Sequence, residues 1–448
     1  MKNKPKIKLS VWQLLALGFL AVILLGSIFL ILPCSTANGK TSYLDALFTA
    51  ASATCVTGLA VHNTAQHWTM FGQIVIILLI QIGGLGFMTF VTTVFYVLKK
   101  DMGIYGRKAL MATAGIDKKY SGLGKLVKRI ALGTLLFESI GAFILCFRFV
   151  PDYGWGKGIY FSVWHSISAF CNAGFDLISA VGECSLVSYS RDPLVTLTLS
   201  FLIIIGGLGF YVWSDIADSK FNTKKLQFNT KTLLAANAAF ILASFALFSV
   251  FEWNNPSYAD YSAGEKILAS FFNAVTPRTA GFSTTDPTTL SESGYALTLI
   301  LMFIGGNSGS TAGGIKVGTF VVIATGMLAS FQGKNDINIG KKRLESSLLA
   351  QAMAIFAACL ALVMCSAITI CAIQPTLTFK ETLFECVSAL GTVGLTLNVT
   401  PALTAPSKII IILLMYAGRV GILTLALALG ENRKTAAIRN PVDTLLIG

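Results

Sequence analysis

The sequence predicts an all-α integral membrane protein of four pseudo-symmetric quarters: eight transmembrane helices and four short re-entrant helices gathered about one central axis. Three observations predict it. Hydrophobic residues fill 54% of the 448 positions and charged residues only 12%, about half the charge of an ordinary soluble domain. Eight apolar stretches are long enough for a hydrocarbon core about 30 Å thick, which needs roughly 20 helical residues. Between them, a short segment ending in glycine recurs four times.

The apolar stretches lie near 10–33, 69–98, 126–150, 193–217, 230–252, 293–331, 345–373 and 406–430, the sixth interrupted by glycine and polar residues. The first follows a basic start, Lys2 to Lys8, but its apolar run from Val11 to Leu32 exceeds the 7–15 residues or so of a secretory signal core. It is read as a helix.

The net charge of +13 is placed for topology rather than for nucleic acid. Of 34 Lys and Arg, 24 fall at the N-terminus, in 99–129, 218–232 and 333–343, and after 430. These are alternate connections, and the positive-inside tendency puts them and both termini in the cytoplasm. The expectation is a multi-pass protein of the cell membrane. Twelve of the 21 acidic residues lie in the opposite loops or in the re-entrant segments, and a mildly acidic mouth attracts cations. The nine cysteines include no CxxC pair, and most lie in apolar or re-entrant segments, which argues against a disulfide framework. His62, His67 and His165 lack ligand spacing, so no structural metal is expected.

Each connection on the side opposite the basic loops holds a further semi-apolar segment of 10–14 residues, too short to cross and therefore re-entrant. Their ends agree: Ser52-Ala-Thr-Cys-Val-Thr-Gly58-Leu, Ser168-Ala-Phe-Cys-Asn-Ala-Gly174-Phe, Val275-Thr-Pro-Arg-Thr-Ala-Gly281-Phe and Ser388-Ala-Leu-Gly-Thr-Val-Gly394-Leu. Successive glycines are 116, 107 and 113 residues apart, close to a quarter of the chain. In the helix that follows, Ile82-Gly-Gly-Leu-Gly-Phe87 returns verbatim as Ile205-Gly-Gly-Leu-Gly-Phe210, while Ile304-Gly-Gly-Asn-Ser-Gly309 and Ala417-Gly-Arg-Val-Gly-Ile422 diverge. Four helix–pore loop–helix repeats result, at 10–100, 120–218, 228–332 and 344–432, with a cytosolic tail at 433–448.

Backbone that leaves helical geometry inside a membrane must be packed in protein or line a wet cavity. Four such breaks on one axis make a pore. Glycine accepts positive φ and lets successive carbonyls turn inward, and such oxygens replace the hydration shell of an ion. The predicted filter therefore comprises Thr54, Cys55, Val56, Thr57 and Gly58; Phe170, Cys171, Asn172, Ala173 and Gly174; Pro277, Arg278, Thr279, Ala280 and Gly281; and Leu390, Gly391, Thr392, Val393 and Gly394. Their backbone carbonyls would coordinate the permeant ion. The Gly-Gly pairs of the following helices read mainly as close-packing positions.

The sixth stretch carries Gly305, Gly306, Asn307, Ser308, Gly309, Ser310, Thr311, Ala312, Gly313, Gly314, Ile315 and Lys316. Five glycines, each costing about 1 kcal/mol against alanine in a helix, predict an unwound gate loop. A phosphate-binding loop is excluded because Ile315 stands where its lysine belongs and Lys316 falls one place late. Arg419 occupies the matching level of the eighth helix. A charge about 6 Å from a permeating cation opposes it by roughly 3 kcal/mol at an effective dielectric of 20, so Arg419 is either a barrier or an anchor for gate-loop carbonyls. Arg278, three residues before a filter glycine, is expected behind the filter wall, with Glu385 or Glu138 as its partner.

These motifs resemble the Trk/Ktr/HKT superfamily of potassium and sodium transporters, and within it a bacterial Ktr-type membrane subunit. The resemblance runs over nearly the whole chain and rests on Thr-Pro-Arg-Thr-Ala-Gly-Phe at 276–282, the two Ile-Gly-Gly-Leu-Gly-Phe segments, the polar loop at 305–316 and Gly-Arg-Val-Gly at 418–421. It implies potassium as the permeant ion, since all four filter positions are glycine. It also implies a homodimer with one pore per protomer, seated on a cytosolic nucleotide-binding regulatory ring, and in many relatives stimulation by sodium. No cofactor is expected in this chain. The basic segments 99–129, 218–232 and 333–343 are docking surfaces for that partner or for anionic membrane lipid. A sodium-preferring or sodium-coupled permease of the same fold is the alternative. A membrane enzyme or scaffold is more remote, because no convergent acid–base, nucleophilic or metal set is present.

Overall fold

The computed structural model describes residues 10–86, 123–179, 185–334 and 336–430. The basic start, Cys184, the tail, most of 99–129 and the second half of the 69–98 stretch lie outside these residues.

Each quarter begins with a long helix whose surface is divided by its surroundings. Val11–Leu30 is capped by Ser10, which accepts from the Gln13 amide while Gln13 accepts from the Ser10 amide; Leu15, Phe19, Ile23 and Leu30 are buried, whereas Leu17, Leu20, Leu24, Leu25 and Ile28 are exposed. An apolar helix with so much exposed leucine belongs in lipid, where hydrocarbon takes the place of core. Phe228–Phe251 and Ser346–Ile373 are of the same kind, long and apolar enough to cross a membrane. The fourth member is the first part of Leu123–Phe170, which continues past Pro151 into the second short helix with one non-helical residue, Gly154 at φ 77°.

The other short helices are Tyr43–Cys55, Ala263–Val275 and Phe379–Gly391. Ser42, Ser262 and Thr378 cap them, and Glu265 and Glu381 complete capping boxes. Hydrogen bonds from the capping amides and hydroxyls hold both carboxyls below the usual carboxylate range. Thirteen residues rise only about 20 Å, short of a hydrocarbon core about 30 Å thick. The core gathers round them: Phe48, Trp164, Phe272 and Phe384 stand at corresponding positions and are all fully enclosed.

Two expectations are corrected. The sequence predicts interruption only in the sixth stretch, yet Pro193–Gly207 meets Phe210–Asp218 at 87°, and Ala405–Val420 meets the following helix at 91°. Gly209 (φ 91°, ψ 139°) and Gly421 (φ 88°, ψ 133°) make these breaks, and Gly86 ends Met70–Leu85 in the same conformation (φ 79°, ψ 134°). Gly209 and Gly421 are thus hinges at a φ where any other residue would be strained. The chain is also not purely helical: Ile337–Ile339 pairs antiparallel with Lys342–Leu344, turning at Gly340 (φ 56°) within the basic segment 333–343.

Candidate functional site

The four predicted glycines come together in a closed ring. All have positive φ: 95° at Gly58, 68° at Gly174, 75° at Gly281 and 94° at Gly394. A Cβ on Gly58 would lie 2.5 Å from the Ala173 carbonyl oxygen, one on Gly174 2.7 Å from that of Ala280, one on Gly281 2.3 Å from that of Val393, and one on Gly394 2.2 Å from that of Thr57. Each quarter therefore presses on the carbonyl just before the next quarter's glycine, and the fourth closes on the first. No side chain fits within that circuit.

Local chain chemistry produces the turn. Two residues before each glycine, Val56, Asn172, Thr279 and Thr392 are left-handed, at φ 52–73°. The amides of Thr57, Ala173 and Val393 donate back to the carbonyls of Ser52, Ser168 and Ser388 at 2.8 Å, a helix-terminating pattern that consumes the last carbonyls. In the third quarter Ala280 donates to Thr276, so this loop is one residue shorter and Thr276, not Val275, corresponds to Ser52. Hydroxyls pin the loops: Ser52 and Ser388 each accept from the ring glycine amide at 3.1 Å, while Ser168 and Thr276 donate to the carbonyls of Phe175 and Phe282. The four aligned segments contain most of these hydroxyls, but spacing alone does not disclose their part.

One helical turn further back a second polar layer appears. His165 accepts from the Leu177 amide at 3.4 Å, Asn273 accepts from Thr285 at 3.2 Å, and Glu385 accepts from Thr396 at 2.9 Å and from Thr400. Each ties a short helix to the chain rising after its glycine. The corresponding Thr49 bonds the Asp45 carbonyl of its own helix, and the first short helix is tied to its rising chain one turn further back instead, by Asp45 and His62 at 3.4 Å.

Close packing accounts for the Gly-Gly pairs. Cβ atoms on Gly83, Gly206 and Gly418 would each stand 2.0 Å from a short-helix carbonyl, of Thr54, Phe170 and Leu390 respectively. In the third quarter Gly305 instead faces the Gly313 carbonyl of its own loop.

That loop, between Glu292–Phe303 and Val317–Phe331, is closed at its neck by Gly305 donating to Ile315 at 2.8 Å and Val317 to Gly306 at 3.1 Å. Its first half is stitched to the second quarter: Asn307 donates to Gly207, Thr311 to Gly206, and Phe210 to Gly309. Its tip reaches the fourth, where a Cβ on Gly313 would meet the Thr392 side chain at 2.1 Å. Lys316 caps the loop's own carbonyls at Ala312 and Gly313. Arg419 donates to the Thr311 carbonyl and to those of Gly83 and Gly84. The anchoring geometry is thus present, and it joins the loop to the first quarter. On the far side of the loop lies a cavity of about 380 Å³ lined by Ser308, Lys316, Arg419, Gly86, Phe210 and Gly421, among others.

Arg278 differs from expectation in one respect. Its guanidinium is buried and turned from the ring toward the long helix Phe228–Phe251, but it donates to the amide oxygen of Asn237, not to a carboxylate. Glu138 accepts from Gln81 at 3.0 Å, and Glu385 is taken by the two threonines. Neither glutamate is the partner. Sequence reasoning misses Asn237, although a lone amide in the middle of an apolar stretch is itself a signal of buried polar contact. At the ring's other mouth, Asp45 pairs with Lys408 at 2.6 Å and Glu292 with Lys380 at 2.5 Å, so part of the acidic charge there is neutralised locally. Hydroxyls of Thr54, Thr57, Thr311 and Thr392 are buried with no protein partner among the described residues, a polar lining where the predicted filter and gate meet.

The profile of the TrkH cation transport protein family matches residues 17–434. The chain is 40% identical to the potassium/sodium uptake protein NtpJ of Enterococcus hirae, over 100% of this chain and 99% of that one. It is 42% identical to the Ktr system potassium uptake protein B of Bacillus subtilis, over 97% and 96%. In structure it resembles the potassium transporter TrkH of Vibrio parahaemolyticus, with a TM-score of 0.77 at 20% identity, covering 96% of this chain and 86% of that one.

Proposed function

Because this chain belongs to the TrkH family of cation transport proteins, we propose that it is the pore-forming membrane subunit of a Ktr-type potassium uptake system, a transporter and not an enzyme. The ring of four positive-φ glycines carries the reading. Glycine there keeps side chains out of the ring and leaves the main-chain oxygens beside it free to face an ion, and carbonyl oxygens substitute for water around a dehydrated potassium ion. The short helices end at the ring, and their partially negative C-termini favour a cation. The loop at 305–316 is the gate and Arg419 its latch, since the guanidinium holds the loop carbonyl at Thr311 against the first quarter. In this reading eight segments cross the cell membrane with both termini in the cytoplasm. The chain pairs as a homodimer on a nucleotide-binding regulatory ring, as the Ktr-system relatives suggest for a multicomponent machine.

A second reading has an observation in its favour: one 40% identical relative is described as a potassium/sodium uptake protein. Purified chain in liposomes decides. Potassium and rubidium fluxes well above sodium flux support the potassium pore; equal or greater sodium flux overturns it, and no cation flux removes both readings.

A further inference from the structure

One buried polar chain runs from the ring to the gate loop, through a residue that the pore reading does not use. Asn237 lies in the middle of Phe228–Phe251, 4% exposed. Its oxygen accepts from Arg278 in the third ring loop, and its nitrogen donates to Asn307 Oδ1 at 2.9 Å and to the Leu233 carbonyl at 2.7 Å. Asn307, fully buried in the gate loop, passes the pattern on by donating to the Leu208 carbonyl at 2.8 Å. Leu208 directly precedes the hinge Gly209.

The ends of this chain fix its direction. A guanidinium can only donate and a carbonyl can only accept. With Arg278 at one end and the Leu208 carbonyl at the other, both amides between them have one satisfying orientation. Turning either amide over sets donor against donor or acceptor against acceptor at each of its contacts, in a dry site where an unmet polar group is costly. A shift of the third ring loop is therefore felt by Asn307, and a shift of the gate loop by Arg278.

We propose that Asn237 is a positioning residue that couples the third ring loop to the intramembrane loop, so that the conformation of each depends on the other. The proposal rests on the pore reading for its meaning in transport, but not for its test. Asn237→Asp keeps an acceptor opposite Arg278 and removes the donor to Asn307. Asn307→Leu removes the relay from the other side. Asn237→Leu removes both contacts.

Hydrogen exchange and rubidium flux are measured on the full chain in liposomes. Asn237→Asp is expected to speed amide exchange in 305–316 about tenfold or more, as loss of a buried hydrogen bond permits, and to leave 276–282 unchanged. Asn307→Leu should reproduce its flux change, and the two together should add nothing. Asn237→Leu should speed exchange in both segments and lower the potassium-to-sodium flux ratio. Unchanged exchange at 305–316 in Asn237→Asp, or additive flux effects when Asn237→Asp is combined with Asn307→Leu, overturns the coupling. Asn237→Asp is nearly isosteric and decides alone should Asn237→Leu fail to fold. A wild-type chain without cation flux defeats the pore reading, while the exchange data still judge the coupling.

Discussion

The third quarter of this molecule and the other three solve the same problem differently. In the second and fourth, the helix after the ring breaks at one glycine, and in the first the helix ends at a glycine of the same conformation, with φ 79–91° and ψ 133–139° across the three; in each an earlier glycine of the same run packs against a short-helix carbonyl. In the third the helix stops at Phe303 and resumes at Val317, and the glycine packs against the loop that fills the gap. Its ring loop is one residue shorter, and it holds the buried arginine. The ring demands fourfold similarity because every member must meet a neighbour's carbonyl. What lies beyond the ring carries no such demand, and there one quarter has been free to replace helix by the loop proposed as the gate.

The ring is where that comparison breaks most sharply. Gly281→Ala puts a Cβ 2.3 Å from the Val393 oxygen at φ 75°, and overpacking of this kind costs about 1–3 kcal/mol, so rubidium uptake should fall about tenfold or more. Gly39→Ala is the control: its φ is also positive, at 66°, but nothing lies within 4 Å, and uptake should persist. Equal losses in the two would mean that dihedral strain, not the ring, sets the requirement. Gly58→Ser puts a Cβ 2.5 Å from the Ala173 oxygen and, in whatever flux remains, should weaken potassium preference over sodium; an unchanged ratio removes the filter assignment there.

The next effect tests the proposed gate. Removing Arg419 deletes a positive charge and the bonds to Thr311, Gly83 and Gly84. Arg419→Ala should raise potassium flux in liposomes, by at most about a hundredfold if the whole barrier of roughly 3 kcal/mol is electrostatic. Arg419→Gln, which can still bond a carbonyl, should raise it less. Flux unchanged or reduced in both would show that the loop does not limit conduction.

The sequence made the ring legible because its constraint falls on residue identity: only glycine serves at 58, 174, 281 and 394, and glycine is visible in a string of letters. The loop at 305–316 was legible for the same reason. The hinges at Gly209 and Gly421 were present in the same motifs, yet one glycine in an apolar run does not announce a right-angle break, since packing decides whether a helix bends there. The partner of Arg278 was not legible. Charge sought a carboxylate in the sequence, whereas the fold placed Glu138 and Glu385 beside other donors and set Asn237 within reach. The displaced register at Thr276 was hidden because the segments align on their glycines, and a deletion inside the turn moves only what precedes it.

The smallest effect sharpens the symmetry itself. Ser52 and Ser388 make the same contact, each accepting the ring glycine amide at 3.1 Å, and a hydroxyl–amide bond of this sort contributes about 1 kcal/mol. Ser52→Ala and Ser388→Ala should therefore each lower the melting temperature of the detergent-solubilised chain by about 1–2 °C for a domain this large. Their effects on selectivity should nevertheless differ. The fourth loop keeps Glu385 bonded to Thr396 and Thr400, so loss of Ser388 leaves it held at a second point. The first loop has Thr49 turned back on its own helix and only a more distant tie, Asp45 to His62 at 3.4 Å, so loss of Ser52 leaves it less closely held, and the potassium-to-sodium flux ratio should fall further in Ser52→Ala. Equal ratios in the two variants would mean that the brace layer adds nothing to what the ring contacts already impose.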